Sequence, residues 1–156
     1  MNFKLMYKNV NSIQHLGVGT SDLDTSWKFY RTFFGMDIPF FDAVAEAPLM
    51  EHYTRDEVIN KRAAMILNLQ GGCPMEVVEA KSFKPVQPLF DTQLGDIGIY
   101  IGKIKTKDIQ KHYDLFLTKS PESIVSEITE TPDGQKTFFV VDPNGLYFQI
   151  LPHNNW

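Results

Sequence analysis

The stretch from Ile13 to Met36, IQHLGVGTSDLDTSWKFYRTFFGM, decides the fold. Ile13, Leu16 and Val18 sit among small and polar neighbours, a pattern that predicts a short strand over 13–19. Ser21-Asp22 then supplies N-cap chemistry. Leu23, Trp27, Tyr30, Phe33 and Phe34 follow at steps of three and four, and Gly35 ends the run, which predicts a capped amphipathic helix. Three extended segments come next: Met36 to Phe41, the apolar run Ala63 to Leu69, and Met75 to Val78 after the turn Gln70-Gly71-Gly72. Between the first two, residues 42–62 lose any clean period and read as an irregular insertion. The order is strand, helix, strand, strand, strand.

The second half repeats it. A stretch carrying Pro85 and Pro88 reads as a linker. Ile97, Ile99 and Ile101 alternate as a strand, and Thr106 stands where a cap is needed for a helix with Ile109, Tyr113, Phe116 and Leu117 on its apolar face. Extended segments follow over 123–131, 138–141 and 146–151, with turns at Pro132-Asp133-Gly134 and Asp142-Pro143-Asn144-Gly145. Laying Ile13–Val18 over Leu94–Ile99 places His15 on Asp96, an offset of 81 residues. At the far ends Glu76 overlies Gln149, an offset of 73. The chain reads as two modules, 12–79 and 94–152, joined by a linker over 80–93 within one domain.

Composition sets the outer bounds. The 156 residues are 43% hydrophobic, 22% charged and 13% aromatic, enough apolar mass for a core that needs no disulfide or structural metal. Cys73 is the single cysteine and favours the cytoplasm. A net charge of −4 without a basic stripe argues against nucleic acid, and no run of 18 apolar residues exists to span a membrane.

The motifs His15-Leu16-Gly17-Val18, Asp22-x-x-x-Ser26-x-x-Phe29-Tyr30, Phe34-Gly35-Met36 and Asp142-Pro143-Asn144-Gly145-Leu146-Tyr147-Phe148-Gln149-Ile150 together resemble the vicinal oxygen chelate superfamily of glyoxalase, bleomycin-resistance and extradiol dioxygenase proteins. The resemblance covers about residues 12–152. It implies an α+β fold of paired βαβββ modules whose curled mixed sheet forms a cleft with a divalent metal at its base.

Carried onto this chain, the family's ligand positions are His15, Glu76, Asp96 and Gln149, the same four that the internal repeat pairs. With one imidazole, two carboxylates and one amide, this set cannot supply a two-His-one-carboxylate triad, which disfavours dioxygenase chemistry. It suits Mn, Mg, Ni, Co or Zn. The resemblance then implies a metal-dependent lyase or isomerase acting on a small oxygenated substrate, with Glu76, and after it Asp96, moving the proton. The alternatives are a metal-free binding protein of the bleomycin-resistance type, or one domain of a dioxygenase-like tandem protein. A homodimer or a neighbouring tandem domain is the expected macromolecular partner. His52 and His112 are expected to face solvent or bond locally, Arg55, Lys61 and Arg62 to form a solvated charge run, and the Trp27–Phe34 aromatics to pack a core.

Overall fold

The computed structural model describes residues 13–48, 60–87, 96–99 and 101–153. His52, Arg55, Pro88, Leu94 and Tyr100 lie outside them, as does the middle of the expected insertion. Chain contacts group the protein into two compact units: residues 1–23 with 36–85, and residues 24–35 with 86–156.

The first unit is a four-stranded sheet of β1 (Leu16–Thr20), β2 (Ile38–Glu46), β3 (Asn60–Leu67) and β4 (Met75–Ala80), ordered β1-β4-β3-β2. β1 runs parallel to β4 and the other pairs are antiparallel. The supposedly irregular insertion is partly strand, because Asp42–Glu46 extends β2 and Asn60–Arg62 begins β3. β2 is exposed along nearly its whole length, so neither of its faces carries the buried apolar row that would reveal a strand. Side-chain alternation sorts the sheet into two faces. One carries the buried Ala64, Ile66, Met75 and Val77, paired as Ala64↔Val77 and Ile66↔Met75. The other carries Gly17, Glu76 and Met65 in one row, then Ala63 beside Val78 and Lys61 beside Ala80.

The second unit contains α1 (Leu23–Phe34), β5 (Gly102–Thr106), α2 (Ile109–Lys119), β6 (Thr129–Glu130), β7 (Lys136–Val141) and β8 (Tyr147–Pro152). Its strands are ordered β5-β8-β7-β6, with β5 parallel to β8. Only Leu23 of α1 groups with the first unit, where its N–H donates to Glu79 Oε2 at 3.3 Å. The rest of the helix fills the second unit's core: Phe29, Tyr30, Phe33 and Phe34 are buried with Phe116, Phe138, Phe148 and Ile150. Phe33 stacks on Phe116 at 4.0 Å between centroids. Trp27 is half-buried and holds the Arg31 guanidinium 4.9 Å from its ring centroid.

Four expectations for this unit need correction. The expected strand does not form at Ile97, Ile99 or Ile101: residues 96–98 bend, Ile97 and Ile99 are exposed, and β5 begins at Gly102. Five alternating residues mimic a strand in sequence, but no partner pairs with them among the described residues. The cap of α2 is Asp108, whose side chain accepts from the Lys111 N–H at 3.1 Å, rather than Thr106. Leu117 is exposed, and the helix instead turns His112 inward, where it stacks on Phe116 and meets Phe138 edge-on. A short 3-10 turn, Pro121–Ser123, precedes the expected segment over 123–131, which contributes only an isolated bridge from Ile124 to Val140 and the two-residue β6.

Candidate functional site

In the first unit His15, just ahead of β1, and Glu76 on β4 come together: His15 Nε2 lies 3.3 Å from Glu76 Oε2. The parallel pairing Leu16↔Met75 and Gly17↔Glu76 explains it. Alternation puts residue 15 on the same face as Gly17, and glycine leaves nothing in the way. A Cβ added at Gly17 or Gly19 would meet no atom within 4 Å, so both glycines leave open space beside the pair.

A third group joins them. Lys61 Nζ lies 3.7 Å from the other carboxylate oxygen, Oε1, and the lysine side chain is only 16% exposed. Its neighbour Arg62 points to the opposite face and grips Asp42 with two hydrogen bonds of 3.0 and 2.8 Å. That bond holds the Asp42 carboxyl below its usual range. The pair Lys61-Arg62 is therefore not a solvated run. A period-two reading of β3, with Lys61, Ala63 and Met65 on the Glu76 face, is the signal that separates the two charges.

The second unit holds the other two expected positions. Gln149 on β8 is half-buried, and its amide nitrogen donates to Thr137 Oγ1 at 3.2 Å. The Thr137 hydroxyl in turn donates to the Ile150 carbonyl at 2.8 Å. Asp96 lies in the exposed bend, six residues before β5. Strand pairing sets the true repeat register: Met75 corresponds to Phe148 and Leu16 to Gly102, an offset of 86 at the first strands. The residue matching His15 is then Ile101, not Asp96. The lateral shift arises because the linker contributes more residues than the alternating isoleucines suggested.

The donor set can be tested against a divalent ion. Among the described residues no group of three or more His, Cys, Asp or Glu side chains gathers. At the expected positions the first unit brings together one imidazole, His15, and one carboxylate, Glu76, and an ammonium already partners that carboxylate. The second offers an amide committed to a hydroxyl. A catalytic metal needs about three protein ligands of suitable charge. The described residues of neither unit by themselves provide a preformed centre, and no chemical step below runs through one.

The closing motif has a structural task. Asp142 is 4% exposed and accepts from the N–H groups of Asn144 (2.9 Å) and Leu146 (2.7 Å), which closes the turn into β8. It also accepts from the Tyr30 hydroxyl, and Asn144 bonds Ser26 at 3.0 Å, so the turn clamps α1. Burial first, and then the Asp142 charge and hydrogen bond, push the Tyr30 hydroxyl far up from its ordinary pKa, so it remains a donor. Phe29-Tyr30 and Asp142-Pro-Asn-Gly, far apart in sequence, are two halves of one lock.

No protein-family model and no curated protein matches the sequence. Solved structures do match in shape. A glyoxalase family protein from Bacillus cereus superposes with a TM-score of 0.76 at 13% identity, over 96% of this chain and 99% of the other. Glyoxalase I from Zea mays gives 0.61 at 17% identity, over 92% of this chain and 45% of the other. An antibiotic binding protein from Streptomyces gives 0.60 at 14% identity, over 94% and 98%. With two βαβββ repeats, each closing a four-stranded mixed sheet, the chain has the fold of the vicinal oxygen chelate superfamily.

Proposed function

We propose that this chain is a small-molecule-binding protein of glyoxalase-like fold that works without a metal, with His15, Glu76 and Lys61 as its polar recognition cluster. The observation that carries this reading is the Lys61 ammonium beside Glu76, which supplies a cation where a metal-dependent relative needs an ion. The cluster offers an ammonium donor, a carboxylate acceptor and an imidazole, beside the open space over Gly17 and Gly19. That set suits a compact ligand bearing hydroxyl or carbonyl oxygens, with an apolar part lying over the glycines. The printed description of the Streptomyces neighbour as an antibiotic binding protein lends the reading support.

The metal-dependent lyase or isomerase is the second reading, and one observation favours it. A separation of 3.3 Å between His15 Nε2 and Glu76 Oε2 is what two donors sharing one ion would show. Thermal melting separates the two. The metal-free reading expects the same melting temperature with EDTA as with Mn²⁺, Ni²⁺ or Zn²⁺, because nothing bound to the fold is removed. A fall of several degrees in EDTA that one of those ions restores would reverse the choice. Residence in the cytoplasm fits the exposed Cys73 thiol, and no helix among the described residues is long and apolar enough to cross a membrane.

A further inference from the structure

The structure assigns Lys61 the role of a resident cation that occupies the electrostatic place of a divalent ion at the His15–Glu76 pair, so that removing its charge raises the affinity of the pair for a divalent ion. The inference rests on the metal-free reading above and says what enforces it.

Three features of Lys61 carry the argument. The first is its burial: 16% of the side chain is exposed, against 41% for Lys81 and 87% for Lys111, which also sit beside carboxylates. A lysine surrenders hydration on that scale only where a charge partner compensates. The second is its path. Lys61 stands opposite Ala80, whereas Glu76 stands opposite Met65, four positions further along β3 and roughly 13 Å away at the strand rise. To bring Nζ within 3.7 Å of Oε1 the two side chains must span the Ala63–Val78 pair between them, and the cross-strand neighbours of Lys61, Ala45 and Ala80, are small. A solvated lysine has no reason to take that route, since its entropy favours pointing outward.

The third feature is the division of the carboxylate. Oε1 faces Lys61 and Oε2 faces His15, so both oxygens of Glu76 are engaged. An ion entering between Nε2 and Oε2 would carry two positive charges to within a few ångströms of the ammonium. In a partly buried site that repulsion is weakly screened. His15 and Glu76 keep the separation of two ligands, and the ammonium withholds the charge that would draw an ion to them.

The test uses the full chain and the metals alone as probes, MnCl₂ and NiCl₂, by isothermal titration calorimetry. In the wild type, binding that depends on His15 is expected to be absent or weak. Lys61→Met keeps the length of the stem and removes the charge, and it is expected to bind the ions at least about tenfold more tightly. Adding His15→Ala should abolish the gain, and Lys61→Arg, which keeps the charge, should not show it. Should Lys61→Met fold poorly by circular dichroism, Lys61→Gln serves the same comparison. If the wild type itself binds one equivalent through His15 as tightly as Lys61→Met, both the inference and the metal-free reading fall. If neither neutral variant gains binding, or the gain survives His15→Ala, the role of Lys61 is overturned while the metal-free reading stands.

Discussion

The two repeats build the same strand pairing from opposite materials. In the first, β1 sets Gly17 beside Glu76, with His15 next in the row; in the second, β5 sets Lys103 beside Gln149, and the matching residue is Ile101. The first repeat thus gathers an acid, an imidazole and a lysine borrowed from β3, with open space beside them. The second places its lysines, Lys103 and Lys105, on the outermost strand of its own sheet, where exposed charge discourages pairing with another chain. One repeat gathers polar groups on a sheet face, and the other packs a helix.

The hairpin turns show the same division and yield the largest expected effect. Before β8, Asp142 is buried and satisfies two backbone N–H groups and the Tyr30 hydroxyl. Before β4, the turn is exposed and local, with Asn68 Oδ1 accepting from the Gln70 N–H at 2.7 Å. Asp142→Ala leaves these donors and the Asn144 side-chain amide without their acceptor and is expected to cost about 3 kcal/mol, whereas Asn68→Ala should cost less than about 1 kcal/mol. At this chain length the first corresponds to a fall of roughly 6–12 °C in melting temperature, readable by calorimetry. Equal effects at the two turns would end the contrast.

Glycines in the two first strands sharpen the comparison at the next level. A Cβ at Gly102 would come within 2.5 Å of the Phe148 ring, in the middle of the aromatic core, while one at Gly17 meets nothing. Gly102→Ala is therefore expected to destabilise by about 1–3 kcal/mol. Gly17→Ala should leave stability unchanged or raise it by up to about 1 kcal/mol, since the native backbone there does not require glycine. If the open space beside Glu76 receives a ligand, Gly17→Ala weakens binding without harming the fold. Chemical denaturation of the two variants, read beside ligand titration of Gly17→Ala, checks both statements.

Much of this architecture is visible in residue patterns, and the exceptions share a cause. The helix from Leu23 to Phe34 is legible because its apolar period and terminal Gly35 are both local, and Gly35 does adopt a positive φ of 65°. The pairing of His15 with Glu76 is legible because each lies beside its own strand's apolar row. Lys61 is not legible, because its partner is chosen by side-chain path along a sheet rather than by sequence spacing. Asp96 misleads because an alternating stretch, Ile97 to Ile101, fits a strand that hydrogen bonding instead places after it. Asp142 is legible as a turn residue, but its grip on Tyr30 depends on long-range packing that no local motif encodes.

The smallest expected effect compares the two described histidines that face carboxylate and aromatic surroundings. His15 has Glu76 beside it, whereas His112 is packed against Phe116 and Phe138, and among the described residues neither of its ring nitrogens has a partner with hydrogen-bond geometry. Burial disfavours the charged ring and lowers the His112 pKa from 6.5, with the Phe33 backbone pulling weakly the other way. In the unfolded chain the same imidazole takes its proton near 6.5. Below that pH the unfolded state binds more protons than the folded one, so stability falls with acidification until the folded ring titrates as well. Above 6.5 the ring is neutral in both states and contributes no slope. His112→Phe keeps the stacking and removes the proton, so melting temperatures measured from pH 7.5 down to 5 should decline less steeply in the variant than in the wild type. Parallel declines would show that the acid sensitivity of the second unit comes from elsewhere, and would leave His112 as a packing residue alone.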